Sequence, residues 1–140
     1  MIESIDLLRR AKADLAIAKR NIKLELSDEV EYDIIAYHIQ QAIEKTLKFN
    51  LEMNGIKYAY THVILELLSF FDNNNIDYPD WVYNNAETLT SYGTKTRYGK
   101  SLVANKRKMN ELIPLAEKYI EDSQPHVDDS DNRFKPSIGI

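Results

Sequence analysis

Apolar residues recur along most of this chain at steps of three and four, the signature of helices that bury one stripe. Leu8, Ala11, Leu15, Ala18, Ile22 and Leu26 predict a first helix over about Ser4 to Leu26. Ser27-Asp28-Glu29 then supplies a cap and an acidic first turn for a second helix, with Glu31 four residues after Ser27. That helix should run to about Met53, where Asn54-Gly55 is a strong stop signal. At about 100° per residue, Ile35, Ile39, Ala42, Ile43, Thr46 and Leu47 share an arc of about 140°. Thr61 can cap a third helix carrying Val63, Ile64, Leu67, Leu68 and Phe71, which Asp72-Asn73-Asn74-Asn75 ends. Pro79 suits the first turn of a shorter fourth helix, from Asp80 to about Tyr92. Gly93 to Gly99 reads as a loop. A last helix covers about Ser101 to Asp122, with Met109, Leu112, Ile113, Ala116 and Ile120 on one face and a kink or break at Pro114.

No stretch alternates with period two for long enough to be a strand. The expected fold is therefore all-α, an antiparallel bundle of about five helices over residues 1–122, with 123–140 as a polar, acidic tail. A length of 140 residues suits one domain that buries its own core. With 44% hydrophobic and 29% charged residues, the chain has the balance of a globular protein. It contains no Cys, which removes disulfides and thiolate chemistry and fits a reducing cytoplasm. No apolar run approaches the roughly 20 residues of a membrane span, and the first residues carry acids where a signal peptide carries bases. A cytoplasmic location without membrane contact is the expectation. The net charge of −4 argues against a surface that binds nucleic acid all over, while leaving room for a local patch.

Such a patch exists in the sequence. Lys95, Arg97, Lys100, Lys106, Arg107 and Lys108 fall in one stretch without an acid. It reads either as a solvated basic face or as a phosphate site for a nucleotide or RNA, centred on Arg97 with Tyr98 and Lys95, and Lys45 or Lys48 nearby. Glu121, Asp122, Asp128, Asp129 and Asp131 form an opposite block that can fold back over it. On the second helix Tyr37, His38, Gln41, Lys45 and Lys48 share a polar arc of about 100°, flanked by Gln40 and Glu44. This arc is either a solvated face with an intrahelical Gln41–Lys45 pair or a strip facing another helix or subunit. His38 reads as an interhelix hydrogen-bonding residue before a catalyst, and His62 as a stabiliser of a helix entry. Their spacing asks for no metal, and no cofactor is implied.

Several of these pieces resemble the HEPN domain. They are Asp14-Leu15-Ala16, the run His38-Ile39-Gln40-Gln41-Ala42-Ile43-Glu44-Lys45-Thr46-Leu47-Lys48, Thr61-His62, and Thr96-Arg97-Tyr98. The Gln-Gln-Ala-x-Glu-Lys-x-Leu-Lys pattern is the specific part, and the pieces span Asp14 to about Ile120 in the expected order. The resemblance implies a helical bundle similar to the C-terminal domain of kanamycin nucleotidyltransferase. It also implies frequent homodimers and pairing with a separate minimal nucleotidyltransferase in toxin–antitoxin operons. Many members of the family are metal-independent ribonucleases.

In those ribonucleases an Arg is followed, after about four to six residues, by a His near the start of the last helix. Here Arg97 leads into Tyr98-Gly99-Lys100-Ser101-Leu102-Val103-Ala104, and the next His is His126. Proton transfer in RNA cleavage needs a group that titrates near neutrality, for which Lys100 and Tyr98 are poorly suited. The reading is therefore a binding and assembly module without a confident catalytic residue. The alternative is a ribonuclease toxin whose general base is displaced, to His38 or His62. A homodimer around the second or last helix is expected, because Ile34 interrupts the polar arc and Tyr78, Trp81, Tyr83 and Tyr92 crowd one short helix. Two-fold pairing would bring Tyr37, Gln41 and Lys48 near their copies and set two Arg97 residues in a shared cleft.

Overall fold

A computed structural model of the chain describes residues 4–94 and 104–124. Among the described residues six helices make up the fold: α1 Ser4–Ile22, α2 Val30–Met53, α3 Ile64–Asn73, α4 Asp80–Asn84, α5 Ala86–Thr94 and α6 Lys106–Ser123. No strand occurs among the described residues. Helix α2 is the axis of the bundle, in contact with α1, α3, α5 and α6, while α4 leans on α5 and α6 also touches α1.

The apolar stripes do what their spacing predicts. Leu8, Ala11, Leu15 and Ala18 of α1 are buried, as are Ile35, Ile39, Ala42, Ile43, Thr46 and Leu47 of α2. Helix α1 stops at Ile22, short of Leu26, because the Asn21 side chain donates to the Ile17 carbonyl and the chain tightens into a turn there. Leu26 still packs on the core from outside the helix. Before α2, the Glu31 carboxylate accepts from the Ser27 hydroxyl and from the backbone N–H groups of Ser27 and Asp28, at 2.8–3.0 Å. These bonds, the hydroxyl first, hold the Glu31 carboxyl below its usual range. Gly55 ends α2 in the left-handed region (φ +71°), and the Ile56 N–H closes back on the Leu51 carbonyl at 2.9 Å. Asn75 (φ 57°) ends α3 in the same way, with the Ile76 N–H on the Phe71 carbonyl.

Other expected boundaries change as well. Helix α3 begins at Ile64, so Thr61 does not sit at its cap position. Its hydroxyl accepts from the Val63 N–H, and the Ile64 N–H is taken by the Thr90 hydroxyl of α5 at 3.0 Å. The expected fourth helix is two, broken at Asn85, whose amide donates to the Trp81 carbonyl while its oxygen accepts from Lys108 Nζ of α6. The second piece runs past Tyr92, so Gly93 lies inside α5 and does not open a loop. Helix α6 starts at Lys106, capped by Asn105, whose side chain accepts from the Lys108 N–H at 2.8 Å. It continues through Pro114, which faces solvent. Trp81 of α4 meets Tyr119 of α6 edge-on, with ring centroids 6.5 Å apart.

Candidate functional site

From Ile39 to Leu51 helix α2 is buried nearly all round, so the polar residues there meet partners and not water. Gln40, Glu44 and Lys48, one turn apart, form a stripe that is 0%, 3% and 8% exposed. Glu44 is the acceptor on which this stripe converges. Gln40 Nε2 donates to its Oε1 at 2.7 Å, and Lys48 Nζ donates to its Oε2 at 3.0 Å. His62, from the segment before α3, sets Nδ1 3.1 and 3.2 Å from the two Glu44 oxygens. Farther along, Gln41 Nε2 donates to Gln40 Oε1 at 2.7 Å. Tyr60 closes the other end, with Lys48 Nζ 5.4 Å from its ring centre and the His62 ring edge-on to it. A buried ion pair offsets its desolvation only when further hydrogen bonds complete it, and here every buried side-chain polar atom among the described residues has a partner.

A second cluster lies between α1 and α2. Asp14 of α1 accepts from His38 Nδ1 at 2.9 Å and from Lys45 Nζ at 2.5 Å, and His38 and Lys45 stand two turns apart on α2. The expected Gln41–Lys45 pair does not form, because Asp14 offers Lys45 a full charge and Gln40 takes the Gln41 amide. His38 is the interhelix residue that its position suggested.

Beside the first cluster opens a cleft of about 590 Å³. Val30, Ile34 and Tyr37, an exposed apolar stripe along the first half of α2, form one side. Gln40, Gln41 and His62 form the polar side, with Asp33 at the rim and Gly93 and Thr94 of α5 closing the end. Gly93 is required there. A Cβ at that position would stand 2.8 Å from the Gln40 carboxamide carbon, closer than real Cβ contacts allow. The absent side chain lets α5 lie directly on the polar stripe.

The sequence-predicted residues thus divide. Gln40, Gln41 and His62 meet at the cleft, and Glu44 stands behind them. Lys45 and Lys48 do not line it, and both ammonium groups are already bound to carboxylates. Lys95, Arg97 and Tyr98 lie outside the described residues, although the segment that carries them begins directly after Thr94. Of the aromatics around α4, Tyr92 is fully buried and burial pushes its hydroxyl up to about 12. Trp81 packs on Tyr119 and Tyr78 packs edge-on against Phe71, which leaves Tyr83 alone exposed. The large exposed apolar stripe is on α2, where Ile34 had signalled it. The sequence reading gave no role to Asp33 or Thr94, took Gly93 as the start of a loop, and placed Asp14 only among the pieces that resemble the family. Asp14 carried a signal, since it sits three after Ala11 and four before Ala18, inside the buried stripe of α1.

A helical bundle built around one polar-striped central helix is the class that this geometry defines. The HEPN domain family model matches residues 5–125, and the chain belongs to that family. No curated protein and no solved structure matches the chain. Among the described residues no helix is long and apolar enough to cross a membrane, and no group of three His, Cys, Asp or Glu side chains is placed to hold a metal ion.

Proposed function

We propose that this HEPN protein is a binding and assembly module that takes a nucleotide or an RNA segment at the α2–α5 cleft and works as a homodimer beside a minimal nucleotidyltransferase. The observation that carries this reading is the cleft. It joins an apolar wall to a polar wall that Glu44 holds rigid, the mixture that small-molecule sites use. The acid-free basic stretch begins one residue past Thr94, so Lys95, Arg97 and Tyr98 are the nearest candidates to grip phosphate. Lys45 and Lys48 would have to leave Asp14 and Glu44 to help. The homodimer, around the second or the last helix, rests on family membership, since the exposed Val30–Ile34–Tyr37 stripe serves as the apolar wall of the cleft. The nucleotidyltransferase partner and the toxin–antitoxin setting are supported by family membership alone.

Titration calorimetry with ATP tests the site. Binding should weaken as salt rises and fall strongly in Arg97→Ala, and equal affinity in both proteins would remove the phosphate assignment. Light scattering at micromolar concentration should give about twice the 16.3 kDa of one chain, and a mass near one chain would end the dimer. One observation favours the ribonuclease alternative. The His62 ring is half exposed at the cleft and held by Glu44 through Nδ1, as a general base is held. No turnover of a generic RNA is expected, and turnover abolished by His62→Ala would replace the binding reading with that one.

A further inference from the structure

The hydrogen bonds behind the cleft wall decide what its polar atoms can offer. Glu44 is an acceptor only, so the Gln40 amide must turn its nitrogen toward it, as the 2.7 Å contact has it. Gln40 then has only its oxygen left for Gln41, which must answer with its own nitrogen. The Gln41 oxygen is thereby the end of the relay, and no described residue donates to it. The same carboxylate fixes the orientation of His62, since Nδ1 presents its N–H to Glu44 and the ring's other edge faces the cleft. Thr94 repeats the pattern, because its hydroxyl donates to the Thr90 carbonyl at 3.1 Å and keeps only lone pairs for a guest. Asp33 adds a carboxylate, and no Lys or Arg is among the described lining residues.

From this we infer that the cleft is a base pocket that reads hydrogen-bond donors, and that it selects a nucleobase with an exocyclic amino group, such as adenine. This inference rests on the nucleotide-binding reading above and specifies which part of the nucleotide enters the cleft. Phosphate is disfavoured in the pocket itself, because the Asp33 carboxylate and the acceptor oxygens of Gln41 and Thr94 repel it. The apolar wall suits a flat ring, with Tyr37 offering a stacking face and Val30 and Ile34 the remaining surface. A base carrying a carbonyl in place of the amino group would set acceptor against acceptor. A site of that kind rejects the mismatched analogue strongly, because its own polar groups are left unpaired.

Adenosine and inosine test this on the unmodified protein, since they share ribose and ring shape, and inosine replaces the amino donor by a carbonyl acceptor while carrying its ring N–H at the adjacent N1. Titration calorimetry should show adenosine binding at least about tenfold more tightly than inosine, the discrimination that one well-placed donor–acceptor set gives. Gln41→Met should shrink that ratio severalfold while adenosine still binds, with Thr94→Val as a second variant should Gln41→Met fail to melt cooperatively. Equal affinity, or a preference for inosine, would overturn the inference and leave nucleotide binding standing. So would ATP binding that depends on Arg97 while neither nucleoside binds. Binding of arginine amide in place of adenosine would overturn it in favour of a protein side chain as guest. Absence of binding by adenosine, inosine and ATP alike would remove both the inference and the reading beneath it.

Discussion

Two carboxylates, Asp14 on α1 and Glu44 on α2, face similar partners and serve different ends. Asp14 gathers His38 and Lys45 between α1 and α2, and its network stops there. Glu44 also gathers a His and a Lys, but its network continues through Gln40 and Gln41 to the cleft, where the His62 side chain is 50% exposed. The first arrangement fastens two helices. The second carries a fixed orientation from a buried charge out to a surface. The difference teaches that a polar residue on a buried helix is assigned by where its chain of bonds ends, and not by its type.

Glu44→Ala gives the largest expected effect. It strands Lys48 and the Gln40 amide in the core, and chemical denaturation should report a loss of about 3–5 kcal/mol. Asp14→Ala should cost less, roughly 1–3 kcal/mol, because its partners are closer to water and can be solvated in part. It should leave ligand binding at the cleft unchanged, and a parallel loss of binding would show that the two networks are not separate. Gly93→Ala presses a methyl group into the Gln40 carboxamide and should cost about 1–3 kcal/mol. Unlike Asp14→Ala, it should also weaken binding, since it displaces the relay. The smallest effect belongs to Glu31, a carboxylate outside both networks. Its folded-state pKa is depressed, so its contribution is present above the ordinary carboxylate range and fades as pH falls through the lowered value. The native chain should therefore be slightly more stable than Glu31→Gln at neutral pH, and an acid titration of stability should show that difference vanish at low pH.

The bundle was legible because its helices keep their apolar stripes on one face, and every stripe residue expected on α2 is buried. The boundaries were legible where the stop is local, as at Gly55 and Asn75, whose left-handed residues need no tertiary partner. They failed where a distant residue intervenes. Thr90 caps α3 from another helix, and Lys108 holds the break at Asn85. Gly93 shows the same limit at the site. Locally a glycine reads as the start of a loop, and only the Gln40 side chain lying against it explains why it remains helical. A helical wheel treats the polar arc of α2 as one face. Two neighbouring elements divide it, α1 claiming His38 and Lys45 while the α3 entry claims Lys48 through Glu44.

The chain has one tryptophan, and its setting gives the molecule a built-in optical gauge. Trp81 sits on α4, edge-on to Tyr119, and does not line the cleft. Its emission therefore follows the seam between α4 and α6. Tyr119 transfers excitation to it over a few ångströms while that seam is shut. Filling the cleft should leave the emission maximum where it is, whereas loosening α4 should shift it to the red. Where the fluorescence transition comes at lower denaturant than loss of helical dichroism, the five-residue α4 has come away before the bundle opens.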